Sequence, residues 1–313
     1  MTTYLLSVLV RVVVRWLPIR ALAVVGTISG LVGYMCGLRA RESVLSNLAV
    51  MLPNATASER RRLARRTFIQ GAYGYIELMS IPRTTRAQIA AAYEMEGWEH
   101  YDRPLSEGRG VIMVGGHIGP TSLAAQHIAI HGPQLTAVVE PLHPPRLHNL
   151  VAELRGAHGL GLVVSGRSAV REMLGRLRRN EVVGIMCDRD VAGSGEPHAF
   201  FGQSTRITEA AATFALRTGA AVVPCVVYRT GLFHGRGRFE PAIEMPRTGD
   251  TRADVREGTQ RIIALLEEFI REDPAQWAMF NEVWPKNGIS YNDANHSNDT
   301  VSRGQPDSES RAP

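Results

Sequence analysis

Short apolar runs rich in β-branched residues recur along the middle of this chain: GVIMVG (110–115), LTAVVE (135–140), GLVVS (161–165), VVGIMC (182–187) and AAVVPCVVYR (220–229). Between them lie segments with helical spacing, near 121–131, 145–157, 168–179 and 208–218. Strands that alternate with helices must return in the same direction. The pattern therefore predicts an α/β fold with a mixed, largely parallel central sheet flanked by helices. In such sheets the chemistry gathers at the carboxyl ends of the strands. One more helix is expected over 254–272. The Asn/Ser/Asp/Gly-rich stretch after Trp284 is expected to be disordered, a polar tail over 286–313. With 313 residues, 44% hydrophobic and 21% charged, the chain can bury a large core and is neither a multi-span membrane protein nor a disordered one.

The N-terminus has a different character. YLLSVLVRVVVRWLPIR spaces Arg11, Arg15 and Arg20 through apolar residues, as an interfacial amphipathic helix would. Ala21–Leu38 then offers 18 uncharged residues, the short limit for a spanning helix, with Gly26, Gly30, Gly33 and Gly37 in G-x-x-x-G pairs. Interfacial insertion, a true span and a buried hairpin remain open, with membrane contact favoured. A cleaved signal peptide is not, because arginines interrupt the apolar run. Residues 1–66 hold ten arginines against two acids, Glu42 and Glu59, and Lys286 is the single lysine of the chain. Such a surface suits nucleic acid or an anionic membrane; the lack of nucleic-acid motifs favours the membrane. From Arg39 to about Ile81 the pattern is helical, with Pro53 in a turn and Ser58 a plausible N-cap. Cys36, Cys187 and Cys225 match no metal or disulfide spacing.

Three segments carry candidate chemistry. His117 follows VIMVGG at the end of a strand, and the two glycines let the backbone turn sharply and allow close approach. A neutral imidazole there can take a proton from a hydroxyl group, or it can simply cap a turn. Thr121 or Ser122 is expected to N-cap the next helix, and no G-x-S-x-G elbow activates Ser122. The second segment is CDRDVAGSGEPHAFFG, where Asp188, Arg189 and Asp190 also end a strand. They can orient a histidine, bind a polar substrate, or form a solvated turn. Phe200 and Phe201 can wall a site or seal the core. In the third, VVEPLHPPRL, Glu140 ends a strand and Arg146 lies near a helix N-terminus, a setting suited to an anion. His127, His131, His143 and His148 lack the cysteines or H-E-x-x-H pattern of a metal site, so no metal is expected.

Taken in order, these segments resemble the bacterial lipid A biosynthesis acyltransferase family, which groups late acyltransferases of lipid A with mycobacterial phosphatidylinositol mannoside acyltransferases. The resemblance rests on Arg41 and Asn47-Leu48 in an R-x(5)-N-L helix, GGHIG (115–119), VVEPLHPPRL (138–147), DRDVAGSGEPHAFFG (188–202), ALRTGAAVVP (215–224) and DPAQWAMFNEVWP (273–285). The D-R-D form and the RTGA run lean toward the mannoside branch. The resemblance implies a glycerol-3-phosphate acyltransferase-like domain over 41–285 behind a membrane-associating segment over 1–40, on the cytoplasmic face of the membrane, peripheral or N-terminally anchored. It implies acyl transfer from acyl-CoA or acyl carrier protein to a glycolipid hydroxyl, with His117 as general base. Membrane lipids are the implied partners; no cofactor beyond the thioester co-substrate and no nucleic acid are implied. Glu140, Arg146, Arg189, Arg206, Phe200 and Phe201 would bind substrate.

The chain departs from the family in two places. Ser122 stands where the His-x4-Asp/Glu motif has its acid, and ITEA (207–210) replaces a Pro-Gly pair. The expectation is that Asp188, Asp190 or Glu209 supplies the missing carboxylate, Glu209 being alternatively a plain helix N-terminal acid. The rivals are a catalytically impaired lipid-binding relative and a lipid esterase or thioesterase.

Overall fold

In the computed structural model, residues 10–284 are described, apart from 13, 15, 133, 191 and 192. The expected polar tail lies outside the described residues. Three helices lead: α1 (Ile19–Cys36), α2 (Leu38–Met51) and α3 (Ala57–Ser80). The α3 N-cap is Thr56 rather than Ser58. Its hydroxyl accepts from Glu59 N–H while the Glu59 carboxylate takes Thr56 N–H, a reciprocal capping box. The glycines of α1 seat it against α3, since a Cβ on Gly30 would lie 2.6 Å from Ile69 Cα. The opposite side of α1 exposes Val24, Val25, Ile28, Leu31, Val32 and Met35. Among the described residues, α1 is the one helix long and apolar enough to cross a membrane.

The rest is an α/β sandwich. After α4 (Arg86–Ala92) come β1 (Tyr93–Glu96), α5 (Trp98–Ser106), β2 (Val111–Gly115), α6 (Thr121–His131), β3 (Leu135–Val139), α7 (Pro145–Gly156), β4 (Gly161–Val164), α8 (Arg167–Arg178) and β5 (Val182–Met186). A hairpin of β6 (Glu196–Phe200) and β7 (Gln203–Ile207) follows. Next are α9 (Ala210–Thr218), β8 (Ala221–Gly231), β9 (His234–Phe239) and α10 (Thr251–Glu272). The sheet runs β1-β9-β8-β2-β5-β3-β4. From β8 to β4 every pair is parallel, whereas β9 is antiparallel to β8 and β1 parallel to β9.

Strand alternation divides the core. Ile112, Val114, Val183 and Ile185 pack with Met173, Phe214 and Ile262 from α8, α9 and α10. Val111, Leu135 and Val182 face the other way, onto Ile128 of α6. All five expected strands and the helices between them are present, β4 forming the far edge of the sheet. The strands missing from the sequence reading, β1, β9, β6 and β7, are charged or glycine-rich; YEME and HGRGRF lack a continuous apolar run because they build one margin of the sheet.

Candidate functional site

Strands β2 and β5 are parallel neighbours with Gly115 opposite Met186, so the two chains leave the sheet at the same level. Cys187 N–H continues the ladder onto Gly115 O at 2.8 Å. Two residues past each strand end, His117 and Asp188 therefore meet. Asp188 Oδ1 lies 2.7 Å from His117 Nδ1, and Oδ2 accepts His117 N–H at 2.6 Å and the Trp277 indole N–H at 2.9 Å. The glycine before the histidine makes room for this, because a Cβ on Gly116 would sit 3.1 Å from Asp188 Oδ2. Gly119, at φ +65°, closes the turn so tightly that its Cβ would lie 2.2 Å from Val227 O.

Asp188 is fully buried and His117 is 32% exposed. Burial alone would raise the Asp188 carboxyl. The His117 charge and the three donors from His117 and Trp277 outweigh it and hold the group at about 2, against an ordinary 3.8. The sign follows: a depressed folded value makes this carboxylate's contribution to stability complete above about pH 4, and that contribution fades as pH falls toward 2. An ionised partner at Nδ1 holds the neutral ring as the Nδ1–H tautomer, leaving Nε2 free to accept a proton.

His117 stands on the wall of a cavity of about 630 Å³. Its lining is mostly apolar, including Met113, Ala125, Ile128, Leu160, Leu162 and Met173, with Gly184 on the β5 floor. Polar groups also line it: Thr121, Ser122, Glu140, Arg189, Ser194 and Thr208 from the segments after the strands, and Arg155 from the last turn of α7. Arg189 Nη2 donates to Glu140 Oε2. Burial pushes the Arg155 guanidinium down, and the Glu140 charge works against that shift. Cys225 also lines the cavity; burial raises its thiol to about 12, so it stays protonated and poorly nucleophilic at neutral pH.

A comparison across protein families bears on the chain as a whole. Residues 1–286 match the model of the bacterial lipid A biosynthesis acyltransferases. The chain belongs to that family. A phosphatidylinositol mannoside acyltransferase of Mycobacterium tuberculosis is 29% identical over 216 residues, 66% of each chain. One from Mycolicibacterium smegmatis is 26% identical over 249 residues, covering 78% of this chain and 79% of the relative. The lipid A biosynthesis palmitoleoyltransferase of Escherichia coli is 25% identical over 220 residues, 69% and 71% of the two chains. The match thus spans just under two thirds of the length of the M. tuberculosis relative.

Within this member of the family the expected site residues separate. Of the three candidate carboxylates, the structure pairs Asp188 with His117. Asp190 turns away and accepts Gly195 N–H at 2.9 Å, with Arg206 Nε 3.8 Å from it. Glu209 occupies the α9 N-cap position and lies 3.0 Å from His198 Nε2. Neither can take the family acid's place beside His117. Ser122 and Thr121 do not cap α6, whose N-cap is Pro120; both face the cavity from its first turn.

Glu140 and Arg189 are on the cavity wall as expected, but Arg146 and Arg206 are exposed and off it. Arg155, in the last turn of the helix whose first turn holds Arg146, is the cation of that helix that reaches the chamber. Phe200 is fully buried against Trp277 and Trp284, and Phe201 lies at the hairpin turn beneath Arg271. Both seal the core and neither walls the cavity. Sequence reasoning missed Arg155 and Trp277. A cation closing a helix is an ordinary feature, and Trp277 lies 89 residues from its acceptor.

Proposed function

We propose that this chain moves a fatty acyl group from a thioester, acyl-CoA or acyl carrier protein, to a hydroxyl of a membrane glycolipid, with His117 as general base. The observation that carries the reading is the His117–Asp188 pair, with His117 on the wall of a chamber apolar enough for an acyl chain. His117 Nε2 takes the proton of the acceptor hydroxyl, and the oxygen attacks the thioester carbonyl. The tetrahedral adduct collapses, the C–S bond breaks, and the departing thiolate takes the proton back from Nε2–H. Asp188 stays ionised throughout and stabilises the transient imidazolium. Arg155, a cation on the cavity wall, supplies the charge for the oxyanion, since the N–H groups of His117, Ile118 and Gly119 in the turn already have acceptors. The cavity thiol, Cys225, is a poor nucleophile, which supports direct transfer over an acyl-enzyme. A buried carboxylate on His117 also removes the reason for reading the chain as a disarmed relative.

The α1 face of valines, isoleucine, leucine and methionine suits a lipid surface, and its lateral packing on α3 favours lying in the interface over crossing it. Arg11 pairs with Glu153 on α7 at 3.1 Å, tying the N-terminal segment to the helix that carries Arg155. The reading places the protein on the cytoplasmic face, peripheral or N-terminally anchored, with a glycerol-3-phosphate acyltransferase-like core. The test is to incubate the purified protein with vesicles, long-chain acyl-CoA and a glycolipid extract, and to follow the lipids by mass spectrometry. An acylated glycolipid is expected. Free fatty acid in its place would assign a hydrolase, and no turnover with any donor would refute the reading.

The chamber floor makes a second prediction. A side chain on Gly184 would start in ordinary contact with Met113 and Leu135 and grow into the cavity. Gly184→Leu is expected to lower kcat/KM for palmitoyl relative to octanoyl donors by about tenfold or more, since a few displaced methylenes decide such ratios. An unchanged chain-length profile would place the acyl chain elsewhere.

A further inference from the structure

We infer that Trp277 is a positioning residue for the His117–Asp188 pair, holding the carboxylate in the orientation that makes His117 a base. This rests on the reading of His117 given above. The segment around Trp277 is laid antiparallel across the histidine turn. Ala278 N–H donates to His117 O at 3.0 Å, Gly119 N–H to Gln276 O at 3.0 Å, and Ile118 and Trp277 form a β-bridge. Gln276 is itself fixed from behind: its Oε1 accepts Arg229 N–H at 2.6 Å and its Nε2 donates to Arg229 O at 3.1 Å. The backbone of Trp277 therefore cannot drift from that of His117.

Its side chain is equally constrained. Trp277 is buried, with Phe200 at 6.0 Å edge-on and Trp284 at 6.2 Å between ring centroids. In that packing the indole N–H has one acceptor, Asp188 Oδ2 at 2.9 Å. Oδ2 also takes His117 N–H, so two N–H donors converge on one oxygen. The carboxylate is thereby prevented from rotating, and Oδ1 is left to face Nδ1. This arrangement does two things. It fixes the direction in which the imidazole points its Nε2, and it draws part of the carboxylate's charge away from the ring. A group that touches neither substrate nor the transferred acyl chain thus sets the geometry and the strength of the base.

The test compares Trp277→Phe with Trp284→Phe. Trp284 belongs to the same aromatic cluster, but its indole donates to Phe200 O at 3.2 Å. Both changes keep a ring and remove an N–H; only the first strips a donor from Asp188. Trp277→Phe is expected to lower kcat about tenfold with KM within twofold, the scale of one hydrogen bond to a charged group. With that donor gone, Asp188 attracts the imidazolium more strongly, so the acidic limb of the kcat/KM profile moves to higher pH by a few tenths of a unit. Glu140, Arg155 and Arg189, the other charges on the cavity wall, are the same in both variants. Trp284→Phe should leave the limb in place.

If Trp277→Phe folds poorly, Asp188→Asn in the otherwise native chain carries the test through the indole N–H spectrum of the four tryptophans. One indole resonance, that of the donor to Asp188, must move. An unmoved limb in Trp277→Phe, an equal shift in Trp284→Phe, or an indole spectrum indifferent to Asp188 would overturn the assignment. Full activity of His117→Ala in the same assay would instead sink the reading on which it rests.

Discussion

Asp188→Asn is expected to reduce acyl transfer roughly a thousandfold or more while leaving the protein folded, the scale seen when a histidine base is held in the wrong tautomer. The geometry dictates how the amide would sit. Oδ2 receives two N–H donors, from His117 and Trp277, so an oxygen must occupy that position. The amide nitrogen is then forced to the Oδ1 position, where it faces His117 Nδ1 at about the present 2.7 Å. An N–H aimed at Nδ1 requires that nitrogen to be the acceptor, which moves the ring proton to Nε2. The atom that should take the substrate proton is then already protonated. Glu209→Gln, whose side chain can still bond His198, should keep activity within a few-fold of wild type, since its interaction is with the hairpin rather than the base. Kinetics on the two variants, with circular dichroism as the control for folding, check the assignment. Equal losses in both would contradict it.

Arg229→Ala is expected to be the most destabilising single change outside the apolar core, at about 3–5 kcal/mol, because it leaves a buried carboxylate without its cation. Arg229 and Glu77 have side chains only 2% and 1% exposed, and their two bonds measure 2.7 and 3.0 Å. Glu77 also accepts Phe233 N–H at 3.1 Å, while Arg229 donates to Gln70 Oε1. The pair joins α3 to β8, and so fastens the N-terminal helices to the sheet. Thermal unfolding should show a fall in Tm of roughly ten degrees. Glu77→Gln combined with Arg229→Met, which removes both charges together, should recover much of that loss. A single-variant Tm within a degree or two of wild type would show the pair to be dispensable. Because the Arg229 backbone anchors Gln276, beside Trp277, activity should fall with stability.

Much of this architecture can be read from local pattern. The five strands from β8 to β4 announce themselves as continuous apolar runs, most clearly the interior ones such as β2 and β5, and His117 is conspicuous because it follows such a strand through glycines. The choice among Asp188, Asp190 and Glu209 could not be made locally. It depends on the register of β2 against β5, which brings the second residue beyond each strand together, and on a hairpin that carries Asp190 and Glu209 off to other partners. Arg146 was an appealing anion binder because helix N-termini attract anions, but α7 directs its last turn, and Arg155, at the chamber. Phe200, which could wall a site or seal the core, does the second and backs Trp277. What stayed hidden was long-range: β1 and β9, whose charges mask strands at the sheet margin, and Trp277, which reaches the site from the far end of the chain.

The central claim is that His117 performs acyl transfer as a base, and it is tested most directly by comparing wild type with His117→Ala in the same vesicles, with one acyl-CoA and one glycolipid extract. The account predicts an acylated glycolipid with the native protein and a loss of about a thousandfold in initial rate with the variant, at unchanged fold. Acylated product formed by His117→Ala at the native rate would contradict it.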